Sequence, residues 1–564
     1  MTMPASSIAS PSWWAQRWQR LDFWSLVMLL SVLVLAVLLL LPIFEVLKVG
    51  IWDAETGRLT LSAYAKLLTH PYYVGAIANS MIVGVGGMLG ACLLGIPLAY
   101  ITTRYAIRGR NLIFVLSVMA LVSPPFIGAY SWIVVLGNNG WLTRTVAQWG
   151  IELPTIYGVH GIILVFSLKF YPFVYLMTAG ALRNINRSLE DAAHNLGCSA
   201  RQRLFKVTLP LVLPAVGTAA TLCFVLSLAD FGTPSIIGRE FRTLSTLAYN
   251  QYTSEMGGTP TMAVSISMLM IVISMLAVYL QRWSIRNRSY ASGLLQQTVV
   301  EPARGWRGAC MHLFAFAVVG LAMLPIAVVV YTSVLKTRGP VFLDAFGWTS
   351  YERVLREVPD VIGNTFLYAT LATVAITLVG SLMSYLIVRR DSRWSGLLDS
   401  VLMVPYVVPG VVMAIGFLLV FNQPPIDLVG TAAIIVLILF IRRLPYGVRA
   451  TTSVLRQIKP SIEEAAVSLG ASPAKAFFTV TARLMLPGIV AGAMMSFITA
   501  INELSSTLLL YNARTATMPV KVFSAVLDGE FGVAAALSTI LLVSTGACVY
   551  AVLRFSQSKE SAFL

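Results

Sequence analysis

Long apolar runs separated by short polar interruptions fill the chain from end to end. Read against glycine, proline and charge, they give about twelve spans. A hydrocarbon core of ~30 Å needs about 20 residues of helix to cross it, and each run supplies roughly that. The first six are predicted over 23–47, 74–101, 112–136, 158–180, 213–236 and 261–281. The second six are predicted over 309–334, 361–388, 397–421, 430–448, 486–510 and 533–553. Backbone polar groups in lipid must be satisfied within the segment, so each run is expected to be a helix and the fold an all-α membrane protein. The chain then divides into a terminus over 1–22, a six-helix domain over 23–281, a linker over 282–308, a second six-helix domain over 309–553 and a tail over 554–564.

Two polar islands break this pattern, and they are copies of each other. Leu182–Pro214 reads LRNINRSLEDAAHNLGCSARQRLFKVTLPLVLP; Leu455–Pro487, 273 residues later, reads LRQIKPSIEEAAVSLGASPAKAFFTVTARLMLP, identical at 16 of 33 positions. Fainter matches lie outside the islands, where Asn79, Tyr100 and Arg104 correspond to Asn364, Tyr385 and Arg389 at an offset of 285. Each half holds an even number of spans and so keeps the same orientation. This is a parallel duplication, with a two-fold axis along the membrane normal and a pathway expected down that axis.

Composition agrees: 57% of residues are hydrophobic and 11% charged, too little polar surface to cover a soluble globule of 564 residues. The formal net charge of +16 is spread through short loops, which is the signature of topology and not of a nucleic-acid partner. Placing both termini in the cytoplasm gives the cytoplasmic loops about a twofold excess of Lys and Arg, strongest at Arg104, Arg108 and Arg110 and at Arg389, Arg390 and Arg393. Both islands then face the cytoplasm. Trp13, Trp14, Arg17 and Arg20 precede an apolar run without a short core and small-residue cleavage site, so the first span is expected to be a retained anchor. The five cysteines have no CxxC spacing, and no zinc-type His and Cys cluster exists around His70, His160, His194 or His312. No catalytic constellation and no metal site is expected.

Within the islands, Ser188–Leu196 and Ser461–Leu469 are predicted as short helices, with a serine at the start, acids in the first turn and glycine just past the end. Such helices are too short to be stable alone and need a partner surface. Glu190, Asp191, Ala192, Ala193 and Gly197 in one copy, and Glu463, Glu464, Ala465, Ala466 and Gly470 in the other, carry the pattern. The alanine pairs offer low relief for entering a groove.

Acid, Ala-Ala, three residues, Gly, then Phe and Leu-Pro resembles the EAA loop of type I ABC importer permeases. That resemblance implies coupling helices that dock into two ATP-binding subunits, import of a solute delivered by a periplasmic binding protein, and residence in the bacterial inner membrane. The second copy departs from the first in having Arg483 where Pro210 stands. The two fused halves, with Phe231-Gly232-Thr233-Pro234 and Asn502-Glu503-Leu504-Ser505-Ser506-Thr507-Leu508 after the loops, are most similar to the fused ferric-iron permeases. Fused thiamine and 2-aminoethylphosphonate permeases are close relatives, and a polyamine is a further cargo of such machinery. None of the nine lysines follows a glycine, so the chain has no phosphate-cradling GxxxxGK[ST] loop. ATP and Mg are therefore expected on the partner ATPase. An ion-coupled secondary transporter, which also uses duplicated halves, and a membrane-embedded enzyme are the competing classes.

Ionisable residues within spans are costly and mark function or structure. Lys169 with Arg442, and Asp230 with Glu503, match at the 273-residue offset. They are expected either to form one internal ion pair per half or to line the pathway. Pro172 and Pro445, three residues after the cations, are expected to loosen the helix locally.

Overall fold

A computed structural model describes residues 23–53, 57–185, 187–254, 259–285, 300–390, 393–424 and 426–555. Trp13, Trp14, Arg17, Arg20, most of the linker and nearly all of the tail lie outside the described residues. Helices dominate. In the first half they are α1 (Phe23–Ile51, with a π-turn at Ala36–Leu40), α2 (Pro71–Arg104), α3 (Arg110–Val122), α4 (Pro125–Leu136) and α5 (Val159–Arg183). There follow α6 (Arg187–Asn195), α7 (Leu209–Ala229), α8 (Gly232–Ile237), α9 (Leu244–Thr253) and α10 (Pro260–Ile285). The second half repeats the series with α11 (Gly305–Ser333), α12 (Pro359–Arg389), α13 (Arg393–Val401), α14 (Gly410–Phe421) and α15 (Ala432–Leu455). It continues through α16 (Ser461–Ser468), α17 (Leu486–Ile501), α18 (Met518–Leu527) and α19 (Phe531–Phe555).

Among the described residues eight helices are long and apolar enough to cross a bilayer, or eleven if each bent pair is one span. The span expected over 430–448 is α15, 24 residues long but carrying Arg442, Arg443 and Arg449. It is packed between α12 and α17, where protein and not lipid meets much of its surface.

Two expectations of continuous helix are corrected. The spans read over 112–136 and 397–421 are each broken, by bends of 103° and 109°, at the proline-bearing stretches that end α3 and precede α14. A proline lacks the N–H and crowds the preceding turn, so the chain turns there instead of continuing. The spans read over 213–236 and 486–510 also stop early, at Ala229 and Ile501, before short irregular segments lead to α9 and α18. The helices α5 and α15 run without interruption through Pro172 and Pro445.

Small residues let the helices approach closely, as expected where lipid gives no hydrophobic drive for helix association. Added Cβ atoms at Gly90 and Gly95 of α2 would strike Ser167 and Val174 of α5, the latter at 2.7 Å. In the second half an added Cβ at Gly447 of α15 would lie 2.6 Å from Ile376 of α12, and one at Gly492 of α17 would lie 3.0 Å from the Gly447 backbone. Leu29 and Leu33 of α1, Leu93 of α2 and Leu378 of α12 stay exposed, a surface suited to acyl chains.

The opening helix of each half lies against the other half. Trp24 of α1 stacks on Tyr385 of α12, ring centroids 3.9 Å apart, and meets Phe477 edge-on at 5.0 Å. Farther along α1, Pro42 packs on Gly416 of α14. Reciprocally, α11 packs on α3 and α4. At the base of this interlock the end of the linker pairs with the first half, Ala106 N–H donating to the Glu301 carbonyl at 2.8 Å and Glu301 N–H to that of Arg104 at 2.9 Å.

Candidate functional site: paired loop helices and buried charges

The loop helices α6 and α16 end identically. The Cys198 N–H donates to the Ala193 carbonyl at 3.0 Å and the Gly197 N–H to that of His194 at 2.9 Å; Ala471 donates to Ala466 at 3.1 Å and Gly470 to Val467 at 2.9 Å. This double closure needs a left-handed residue, and Gly197 (φ +84°) and Gly470 (φ +92°) supply it. The alanine pairs do not form one smooth outer face: Ala192 and Ala465 are exposed, Ala466 is half-buried and Ala193 is buried. Relief comes instead from Leu196 and Leu469, which are 85% and 90% exposed, with Leu189, Ile462 and Val467 also on the surface. Asp191 and Glu464 are exposed.

The first acid of each motif turns inward. Glu190 Oε1 accepts from Arg104 Nη2 at 2.7 Å and from Thr208 Oγ1 at 2.8 Å. Glu463 accepts from the Tyr385 hydroxyl on Oε1 and from Thr481 Oγ1 on Oε2 at 3.0 Å, with Arg389 Nε 4.0 Å away. Thr208 and Thr481 close π-turns at Leu204–Thr208 and Phe477–Thr481. The extra residue in each turn sets the threonine hydroxyl toward the acid. Each carboxylate thus joins the loop helix to the C-terminal end of α2 or α12 and to the π-turn that leads toward the following span. Arg104, Arg389 and Tyr385 were visible in the sequence as matched positions, and both threonines as identities within the islands; the signal was there without a role attached. The copies differ beyond this point. The first runs as one helix from Arg201 to Ala229, whereas the second bends by 72° between Leu484 and Leu486, next to Arg483.

The buried charges are arranged differently in the two halves. Lys169 of α5 does not contact Asp230. Its ammonium donates to the carbonyls of Ala120 at 3.0 Å, Leu121 at 2.6 Å and Ser123. It therefore satisfies the orphan carbonyls where α3 stops; the direct ion pair expected there does not form within 4 Å, although the two charges remain near enough to interact. Asp230 instead accepts the Thr233 N–H at 2.8 Å, capping α8. In the second half Arg442 Nη1 meets Glu503 Oε1 at 2.5 Å, and Arg443 Nη2 binds Glu503 Oε2. Glu503 also accepts the Ser506 N–H at 3.1 Å, the same three-residue cap that Asp230 makes. Arg443 escaped the comparison of halves because Phe170 occupies the matching position.

Both caps sit where the halves meet. An added Cβ at Gly232 would lie 3.2 Å from Leu504, and the rings of Phe231 and Phe523 are 5.5 Å apart. Asn502 Nδ2 reaches the Val122 carbonyl at 3.4 Å.

The family model for the binding-protein-dependent transport system inner membrane component matches residues 91–290 and again 375–559, one copy in each half. The chain belongs to this family. It is the fused, duplicated permease of an ABC importer, a multi-span inner-membrane component and not an enzyme. The ferric transport system permease protein FbpB of Actinobacillus pleuropneumoniae is 28% identical to it over 511 residues, 87% of this chain and 72% of that one. The Fe(3+)-transport system permease protein FbpB 2 of Haemophilus influenzae is 24% identical over 542 residues, 95% and 99% of the two chains. The molybdenum transport system permease protein ModB of Haemophilus influenzae is 30% identical over 214 residues, 37% of this permease but 92% of its own length. One half of the permease thus matches nearly all of a shorter relative.

Proposed function

We propose that this permease imports ferric iron handed over by a periplasmic solute-binding protein, driven by two separate ATP-binding subunits that dock on α6 and α16. The observation that carries the reading is the pair of short loop helices, built alike, closed by left-handed glycines and presenting leucines that stay exposed among the described residues. An apolar knob on a short polar helix is costly in water and suits a partner groove. Ferric iron as cargo rests on the relatives named for ferric transport, which span most of the chain.

Both termini and both loop helices lie in the cytoplasm, on the side favoured by the arginine-rich loops. ATP and Mg are held by the partner subunits. Their closure draws α6 and α16 together and rocks the halves between inward-open and outward-open states. Lys169, Asp230, Arg442 and Glu503 brace the broken spans that border the pathway.

The test is uptake of radiolabelled iron into proteoliposomes holding the permease. Uptake is expected only when the ATPase subunits and ATP are inside and the iron-loaded binding protein outside. Uptake driven by an ion gradient without nucleotide defeats the ABC reading. ATP-driven uptake of 2-aminoethylphosphonate, thiamine or a polyamine in place of iron defeats only the cargo. Labelling of a cysteine at Glu190 or Glu463 from the periplasmic face would defeat the orientation.

A further inference from the structure

We infer that α2 and α12 are struts that carry motion of the loop helices across the membrane to the broken segments where the halves meet. The inference rests on the reading that α6 and α16 receive the ATPase subunits.

Each strut is tied at both ends, and the ties repeat in the two halves. At the inner end Arg104 of α2 holds Glu190, while Tyr385 of α12 holds Glu463 and Arg389 donates to the Ile458 carbonyl at 2.7 Å. At the outer end Asn79 Nδ2 donates to the Arg242 carbonyl at 3.0 Å, and Ser80 Oγ accepts the Leu244 N–H at 2.7 Å. In the second half Asn364 Nδ2 donates to the carbonyls of Arg514 at 2.9 Å and Ala516 at 3.1 Å, and Thr365 Oγ1 accepts the Met518 N–H at 2.7 Å. Leu244 and Met518 are the first residues of α9 and α18, so the struts satisfy N–H groups that those helices leave orphaned.

From Ser80 to Arg104, and from Thr365 to Arg389, is 24 residues of unbroken helix, about 36 Å at 1.5 Å per residue. That spans the hydrocarbon core. In the first half a second rod runs alongside, since Thr208, bound to the same glutamate, leads directly into α7, which ends at the broken segment at Asp230; in the second half a 72° bend between Leu484 and Leu486 separates Thr481 from α17, which ends at Asn502. In both halves the continuous helix tied at its two ends is α2 or α12, so it is this helix that carries a tilt of the loop helix to the broken segment.

The test is made on the full importer in proteoliposomes, measuring both ATP hydrolysed and iron taken up. The variants Ser80→Ala and Thr365→Val remove the outer acceptors and lie far from the ATPase surface. ATPase subunits are expected to co-purify as with the wild type, while iron imported per ATP falls about fivefold, the scale of one buried N–H left unpaired. The exchanges Ser80→Thr and Thr365→Ser, each placing the other half's residue, are expected to restore the ratio. Leu93→Ala and Leu378→Ala, on exposed faces of the same helices, are expected to leave it alone. A wild-type ratio in both Ser80→Ala and Thr365→Val overturns the strut. Should either variant fail to assemble, Asn79→Ala and Asn364→Ala at the half-buried edge of the same ties carry the test, and a wild-type ratio there overturns it equally. Uptake by the wild type without nucleotide would instead remove the reading beneath it.

Discussion

Glu190 and Glu463 occupy the same place in their halves and are held by different chemistry, a guanidinium at 2.7 Å in one and a phenol with a more distant arginine in the other. Tyr385→Phe keeps the ring stacked on Trp24 but strips Glu463 of a donor. We expect it to lower the melting temperature by the equivalent of about 1–2 kcal/mol and to slow uptake, while Tyr100→Phe leaves both near wild type. Equal losses in the two would contradict the asymmetry. The buried charges permit a sharper test. Glu503→Ala strands two arginines and should cost about 3–5 kcal/mol, visible as loss of folded permease from membranes, and Arg443→Leu in that background should recover part of it. Asp230→Ala should rescue little of Lys169→Ala, because the hydrogen bonds of the lysine go to α3 carbonyls and that of the aspartate to the Thr233 N–H, with only a longer-range attraction between them. Rescue in solubilised melting curves would restore the ion pair. The sequence revealed which residues were paired by duplication, since Lys169, Asp230, Arg442 and Glu503 are all buried or nearly so. It concealed which partners they chose, because a carbonyl at a helix end leaves no side-chain trace.

At the level of elements, hydropathy located nearly every apolar run but not the breaks within them. Proline is tolerated inside α5 and α15 yet ends the helix near Pro124 and Pro409, and which outcome holds is decided by neighbours able to satisfy the freed groups. Lys169 does this for α3, so a residue in another span satisfies the carbonyls left free where α3 stops. Close helix crossings were equally hidden. Gly447 looks like any glycine in an apolar run, but it lets α12, α15 and α17 converge. Gly447→Leu is expected to force α15 off Ile376 at a cost of about 1–3 kcal/mol, read as a lower melting temperature in lipid nanodiscs. Gly363→Leu, where an added Cβ meets nothing within 4 Å, is the comparison, and it should melt near the wild type.

For the whole molecule, duplication was legible from the islands alone, and the exchange of opening helices was not. Nothing in the run around Trp24 says that its ring will rest on Tyr385 of the opposite half. Because α1 clasps the second half and α11 the first, the halves should hold together without a covalent link. Co-expression of residues 1–290 with residues 291–564 is expected to yield a complex in which a tag on one piece retains the other through detergent washes; independent elution would show the clasp to be weak. The same exchange bears on synthesis. Trp24 leaves the ribosome 361 residues ahead of Tyr385, and at ~5–20 residues per second that gap is about 20–70 s. Throughout it the first helix sits in the bilayer without its final neighbour, so the nascent protein completes its earliest segment among its last, and premature termination anywhere before α12 leaves an aromatic anchor with no seat.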